Sequence, residues 1–149
     1  MTYLVEWGRD DAEPDRHGRR RVDTAADLDA ALDAITASAT RSDKRFAALI
    51  LPDVDLDDLP PALHIGIGHP ERSYAQWISR DGGGYAIEPD LSPWPDEITF
   101  DHGGQPCFMQ PRETRLSPSA ARAAAREYVA TGQRPRGVEW IPFRPQPRP

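Results

Sequence analysis

Apolar and polar positions alternate from the second residue onward. In TYLVEW, 2–7, Tyr3, Val5 and Trp7 fall on one side and Leu4 and Glu6 on the other, the two-residue period of a strand. Residues 8–21 break the pattern. They are polar and rich in turn formers, which predicts a mobile surface loop with Arg19, Arg20 and Arg21 solvated. From Thr24 the period becomes helical. Leu28, Leu32, Ile35 and Ala39 form one stripe over 24–39, with Asp27, Asp29 and Asp33 facing out. Thr24 followed three positions on by Asp27 is an arrangement like a capping box. FAALIL, 46–51, is a continuous apolar run of strand length, which predicts a central strand buried on both faces. LHIGIG, 63–68, alternates again, placing Leu63, Ile65 and Ile67 inward and His64, Gly66 and Gly68 outward.

The middle of the chain predicts hairpins. After a turn at HPER, 69–72, the runs SYAQWIS, 73–79, and GYAIE, 84–88, flank Arg80-Asp81-Gly82-Gly83. Asp-Gly between alternating runs predicts a type I′ turn, which needs positive φ at both central residues. EITFD, 97–101, and PCFMQ, 106–110, predict a second hairpin. A second helix follows. Ser117 is its expected N-cap and Pro118 its first residue; Ala121, Ala124, Ala125, Tyr128 and Val129 form the packing face, and Gly132 ends it. VEWIPF, 138–143, reads as a last strand, and 144–149 as a flexible tail. Strands joined by tight turns are antiparallel. The expected fold is therefore α+β: one domain over 1–143, a mostly antiparallel sheet of about six to eight strands with two main helices packed on it.

Three successive glycines, Gly82 to Gly84, invite comparison with a phosphate-binding loop. Such a loop joins a strand to a helix N-terminus and carries a Lys or Ser/Thr in register. Here the glycines join strand to strand, so a turn is the reading.

Charge changes the picture further. The 149 residues carry a net charge of −6. That excess opposes binding to nucleic acid, whose phosphates need Lys and Arg, and suits a basic partner. The single cysteine, Cys107, excludes an internal disulfide and a multi-cysteine metal site. The opening residues lack the pattern of a secretory leader, and no apolar run is long enough for a membrane span; a cytoplasmic protein without membrane association is expected. His17, His64, His69 and His102 show no metal-ligand spacing, and neither a metal nor a cofactor is expected. No nucleophile-elbow motif occurs, and Cys107 lies in an expected strand away from any helix N-terminus.

Two features stand out for binding. Asp53, Asp55, Asp57 and Asp58 crowd one loop, and Trp94 sits between two prolines beside acidic residues. An aromatic with an acidic rim is the composition of a protein-binding anchor; a loop Trp folded back against the sheet is the competing reading. Trp7 and Trp140 belong to the core by strand position, while Trp77 is consistent with either face. An enzymatic alternative is a small hydrolase or nucleotide-modifying enzyme in which Asp81, Glu88, Asp101 and His102 share a cleft between the two hairpins. A homodimer pairing exposed sheet edges is a third reading.

The stretch GHPERSYAQWISRDGGGYAIEPDLSPWPDEITFDHGGQP, 68–106, carries a G-H turn, R-S-Y-x-x-W, D-G-G-G-Y and P-W-P-x-x-I-x-F-D-x-G-G. It resembles family one of the immunity proteins of bacterial polymorphic toxin systems. The second helix and V-E-W, 138–140, continue the resemblance, while the N-terminal part matches only in its strand–helix–strand outline. The resemblance implies a non-enzymatic antidote used in interbacterial competition. Its partner would be a cognate toxin domain, often of the nucleic-acid deaminase class. With the acidic surface, this leads to an expected mechanism in which the protein occludes the toxin's active site. The expected contacts are Asp55, Asp57, Asp58, Glu88, Asp90, Trp94 and Asp96, and the expected free form is a monomer or weak dimer.

Overall fold

The computed structural model describes residues 1–8, 18–58 and 60–143. The expected loop over 8–21 falls partly, and the tail over 144–149 wholly, outside these residues. Two helices, α1 (Ala25–Ser42) and α2 (Pro118–Thr131), lie against a sheet whose nine strands are β1 (Tyr3–Trp7), β2 (Gly18–Val22), β3 (Phe46–Pro52), β4 (Ala62–Ile67), β5 (Ala75–Ile78), β6 (Gly84–Ile87), β7 (Ile98–His102), β8 (Gln105–Met109) and β9 (Glu139–Pro142). The main path runs β2-β1-β3-β4-β5-β6-β9, all antiparallel, and β7 joins β3 through one parallel pairing, Phe46 with Asp101. The α+β class and both helices are as expected. The strand β2 corrects the part of the expected loop that covers residues 18–21. Its Arg19 and Arg21 pair with Glu6 at 3.2 Å and Asp53 at 3.3 Å, so an edge strand is built from charged residues that discourage further pairing.

Both helices begin and end as their sequences dictate. The Thr24 hydroxyl accepts the Asp27 N–H while the Asp27 carboxylate accepts the Thr24 N–H, a complete capping box. Ser117 accepts the Ala120 N–H, Pro118 follows, and Gly132 closes α2 at φ 71°. Asp29 and Asp33 do not simply face solvent. They meet Arg122 and Arg126 of α2 at 2.6–3.7 Å and tie the helices together.

The sheet has two unequal faces. Tyr3, Val5 and Trp7 of β1, Phe46, Ala48 and Ile50 of β3, Leu63 and Ile65 of β4, and Ala75 and Trp77 of β5 form the main core with both helices. Tyr128 packs edge-on against Tyr3 and Trp77, each at 5.2 Å, and its hydroxyl donates to the Pro61 carbonyl. The opposite face carries the alternate residues. One end of it is covered by the β7–β8 hairpin, whose Phe100 stacks on Tyr74 at 5.0 Å within a smaller cluster with Ala47, Ile98 and Met109. His64 and Gly66 are therefore buried, not outward-facing. A Cβ at Gly66 would lie 2.6 Å from the Phe100 ring. Beyond it, among the described residues, this face is only partly covered: Leu4 and His64 are buried, Leu49, Leu51, Tyr85 and Ile141 half-buried, and Ile78 exposed. Two rows of side chains cross it: Glu6–Leu49–His64–Gln76–Tyr85–Ile141 in one, with Leu4–Leu51 and Ala62–Ile78 in the next.

Gly82 and Gly84 have separate reasons. The β5–β6 turn closes through the Gly82 N–H to the Ser79 carbonyl at 3.3 Å, and only Gly82 (φ 112°) has positive φ there. The expected type I′ turn is replaced by a four-residue turn with Arg80 and Asp81 at its centre. Gly84 is required by close approach, since a Cβ would lie 2.4 Å from the Ile141 carbonyl oxygen. Gly84→Ala is expected to push β9 off β6 and cost about 2 kcal/mol, the scale of overpacking a close contact. Urea unfolding of the variant checks this, and an unchanged midpoint would refute it.

Candidate functional site

The residues singled out for function fall at opposite ends of the sheet. β3 leaves the sheet at Pro52, paired with Tyr3, and runs into the loop holding Asp55, Asp57 and Asp58. β6 leaves at Ile87, paired with Glu139, and runs into Glu88, Asp90, Trp94 and Asp96. The connecting registers separate the two groups by roughly 20 Å of strand rise. No single flat contact patch is formed by all seven.

In the first group Asp55, Asp57 and Asp58 are exposed. The Asp55 carboxylate accepts the Asp57 N–H at 3.1 Å, and the Asp58 N–H returns to the Asp55 carbonyl at 3.1 Å. Asp55 thus shapes a tight turn that presents Asp57 and Asp58 to solvent. This loop joins β3 to β4 and borders the uncovered half of the second face at Leu51 and Ala62. The β5–β6 turn, with Arg80 and Asp81, lies at the same end.

The second group is largely engaged inside the fold. Glu88 accepts the Ser117 N–H at 2.6 Å, adding a carboxylate at the N-terminus of α2, where the helix dipole favours negative charge. Arg115 holds the loop after Glu88 through the Leu91 and Pro89 carbonyls at 2.7 and 3.0 Å. Trp94 is half-buried, packed edge-on against His69 at 5.0 Å with the Arg72 guanidinium 5.0 Å from its ring centre. Arg72, itself buried, donates to the Ser92 and Thr114 carbonyls at 2.6 and 3.2 Å. His69 Nδ1 accepts the Glu71 and Arg72 N–H groups at 3.1 and 3.0 Å. The G-H-P-E-R-S-Y run is thereby a clamp: Gly68 turns the chain at φ 114°, His69 sets the turn, and Arg72 pins two loops. His69 and Arg72 were not among the residues singled out. Their sequence signal was their place in the G-H turn and the R-S-Y-x-x-W motif, which marks the resemblance but not the contacts they make. Asp90 and Asp96 are exposed on the same loop as Trp94.

The four residues of the enzymatic alternative do not share a cleft. Asp81 is exposed at the Asp57 end, whereas Glu88, Asp101 and His102 lie toward the other end. Asp101 pairs with Lys44 at 3.9 Å and accepts the Gly104 N–H at 3.0 Å. It borders an open cleft of about 750 Å³ together with Asp43, Lys44 and Arg45. His102 stacks edge-on over His64 at 4.8 Å. Burial, reinforced by His102, lowers His64 to about 4, against a weaker opposing effect of the Gln76 side chain as an acceptor. Cys107 is half-buried, and burial followed by Glu113 raises its thiol pKa. Among the described residues no cluster of three His, Cys, Asp or Glu is placed to hold a metal ion, and no helix is long and apolar enough to cross a membrane.

The described residues therefore present an exposed acidic loop, with the exposed Ile78 of the sheet at the same end. The sequence model described as immunity protein Imm1 matches residues 16–142. The chain belongs to the Imm1 family. A search of curated proteins found no match. Membership supports an immunity role with a cognate toxin protein as the partner. Within this Imm1 domain, the motif that carries the resemblance is concentrated in the His69–Arg72–Trp94 clamp and the β5–β6 and β7–β8 turns, which hold the fold together.

Proposed function

We propose that this protein is the cytoplasmic antidote to a nucleic-acid-acting toxin domain of the deaminase type, and that it neutralises the toxin by occluding its active site. The observation that carries this reading is the Imm1 match over residues 16–142. It is supported by the net charge of −6 and by the exposed Asp57 and Asp58, placed to stand where substrate phosphates would sit in a basic cleft. Asp55 shapes the loop that presents them. Asp90 and Asp96 are charged groups at the far end, suited to steering the encounter. Glu88 and Trp94 act mainly by holding α2 and the 89–96 loop in place.

Co-expression tests the reading. With the toxin domain encoded beside this chain, the host is expected to survive only when the chain is present, and the two proteins to elute as one complex. Death of the host with no co-elution would overturn it. A purified toxin that deaminates nucleic acid, and stops when the chain is added, would establish the class; an active toxin of another chemistry would refute the deaminase part alone.

A further inference from the structure

We infer that the toxin docks on the uncovered half of the sheet's second face, with the Asp55–Asp58 loop as its charged rim. The inference rests on the antidote reading above and names the surface that does the binding.

The β7–β8 hairpin seals one end of this face through Phe100, and its His102 covers His64, but among the described residues the outer row, with Ile78 and Phe143, stays exposed. Leu49 and Leu51 of β3, Ile78 of β5, Tyr85 of β6, Ile141 of β9 and Phe143 just after it all belong to this side. Ile78 is 46% exposed and Phe143 40% exposed. Phe143 is held in place, its N–H donating to the Gly83 carbonyl at 3.1 Å and its ring 6.5 Å from that of Tyr85. Contiguous apolar side chains on a rigid sheet, rimmed by charge, form the core-and-rim layout of a protein interface. The strands from β3 to β9 span about 19 Å across at ordinary strand spacing, and the adjoining loop extends the footprint.

The occupant follows from charge. The rim at the open end carries Asp53, Asp55, Asp57, Asp58 and Asp81, against Arg80 and Arg21, the latter paired with Asp53. A basic protein meets complementary charge there. A second copy of this chain carries the same net charge of −6, which repels the encounter instead of steering it.

The test uses the full chain and the neighbouring toxin domain. Ile78→Lys and Phe143→Ser change exposed side chains of the open face, while Phe108→Lys changes a 55% exposed residue on β8, paired with Thr99 and outside the two rows. Thermal melting shows whether each variant is folded. Ile78→Lys and Phe143→Ser are each expected to weaken binding by about 30-fold or more, the scale of losing an interface anchor, and Phe108→Lys to leave it unchanged. Asp57→Asn with Asp58→Asn is expected to slow association and flatten its salt dependence without altering the melt. Folded Ile78 and Phe143 variants that bind within threefold of the parent would overturn the docking face, as would an equal loss in Phe108→Lys. So would a parent dimer that Ile78→Lys splits while toxin binding persists. Failure of the parent chain itself to bind or protect would remove the antidote reading and the docking face together; binding by the parent with unaffected variants would remove only the face.

Discussion

Phe100→Ala is expected to lower the stability of the fold by about 3–5 kcal/mol, the range for emptying a buried aromatic site. Phe100 is fully buried, stacks edge-on against Tyr74, and fits against the bare backbone of Gly66. Removing the ring opens a cavity at the place where the hairpin meets the sheet. Rigid strands on both sides limit how far the site can collapse. A loss of this size is a large part of the 5–15 kcal/mol typical of a domain. Urea unfolding measures it, and hydrogen exchange locates it: amides of β7 and β8 should lose protection more than those of β1 and β3. A loss under about 1 kcal/mol would mean that the hairpin is anchored elsewhere. Gly66→Val approaches the same joint from the sheet side, and its new side chain should displace the same hairpin.

The second large effect is a loss of stability in acid through His64. The side chain is 7% exposed, lies under the His102 ring, meets Tyr74 edge-on at 5.7 Å, and leaves Nε2 without a hydrogen-bond partner. In the unfolded chain it titrates near 6.5; in the fold it titrates at about 4. Between those values the unfolded chain binds a proton that the fold refuses. Stability therefore falls as pH drops from 6.5 towards 4, and this contribution is flat above 6.5. The difference corresponds to about 3 kcal/mol. His69, also lowered by burial and by Arg45 and Arg72, acts in the same direction. Unfolding midpoints at pH 7.5 and 4.5 should differ strongly in the parent chain and much less in His64→Gln. Equal pH slopes in the two proteins would show that His64 is not the group responsible.

Local periodicity recovered most of the fold. The alternation of Tyr3, Val5 and Trp7, the stripe from Leu28 to Ala39, the Thr24 and Ser117 caps and the Gly132 stop each encode their element through neighbours within a few residues. β2 escaped because its edge strand is written in arginines, so no apolar alternation marks it before Val22. Alternation alone points His64 and Gly66 to solvent, because their cover, Phe100 and His102, arrives from far along the chain. The candidate site was legible only in part. Acidic Asp55, Asp57 and Asp58 stand out in sequence, but strand register alone reveals that they lie across the sheet from Glu88 and Trp94. The Arg72 clamp was invisible for a related reason: its acceptors are carbonyls of Ser92 and Thr114, and a carbonyl leaves no mark on sequence.

Strand alternation has one more consequence. On β3 to β6 the residues that build the helix-covered core and those that face the uncovered half-face occupy interleaved positions of the same strands, as Ile50 beside Leu49 and Leu51, or Trp77 beside Ile78. Folding instructions and surface identity are thus written in alternate letters of one text. Substitutions at Leu49, Leu51 or Ile78 therefore change that surface while leaving the core side chains of Ile50 and Trp77 in place.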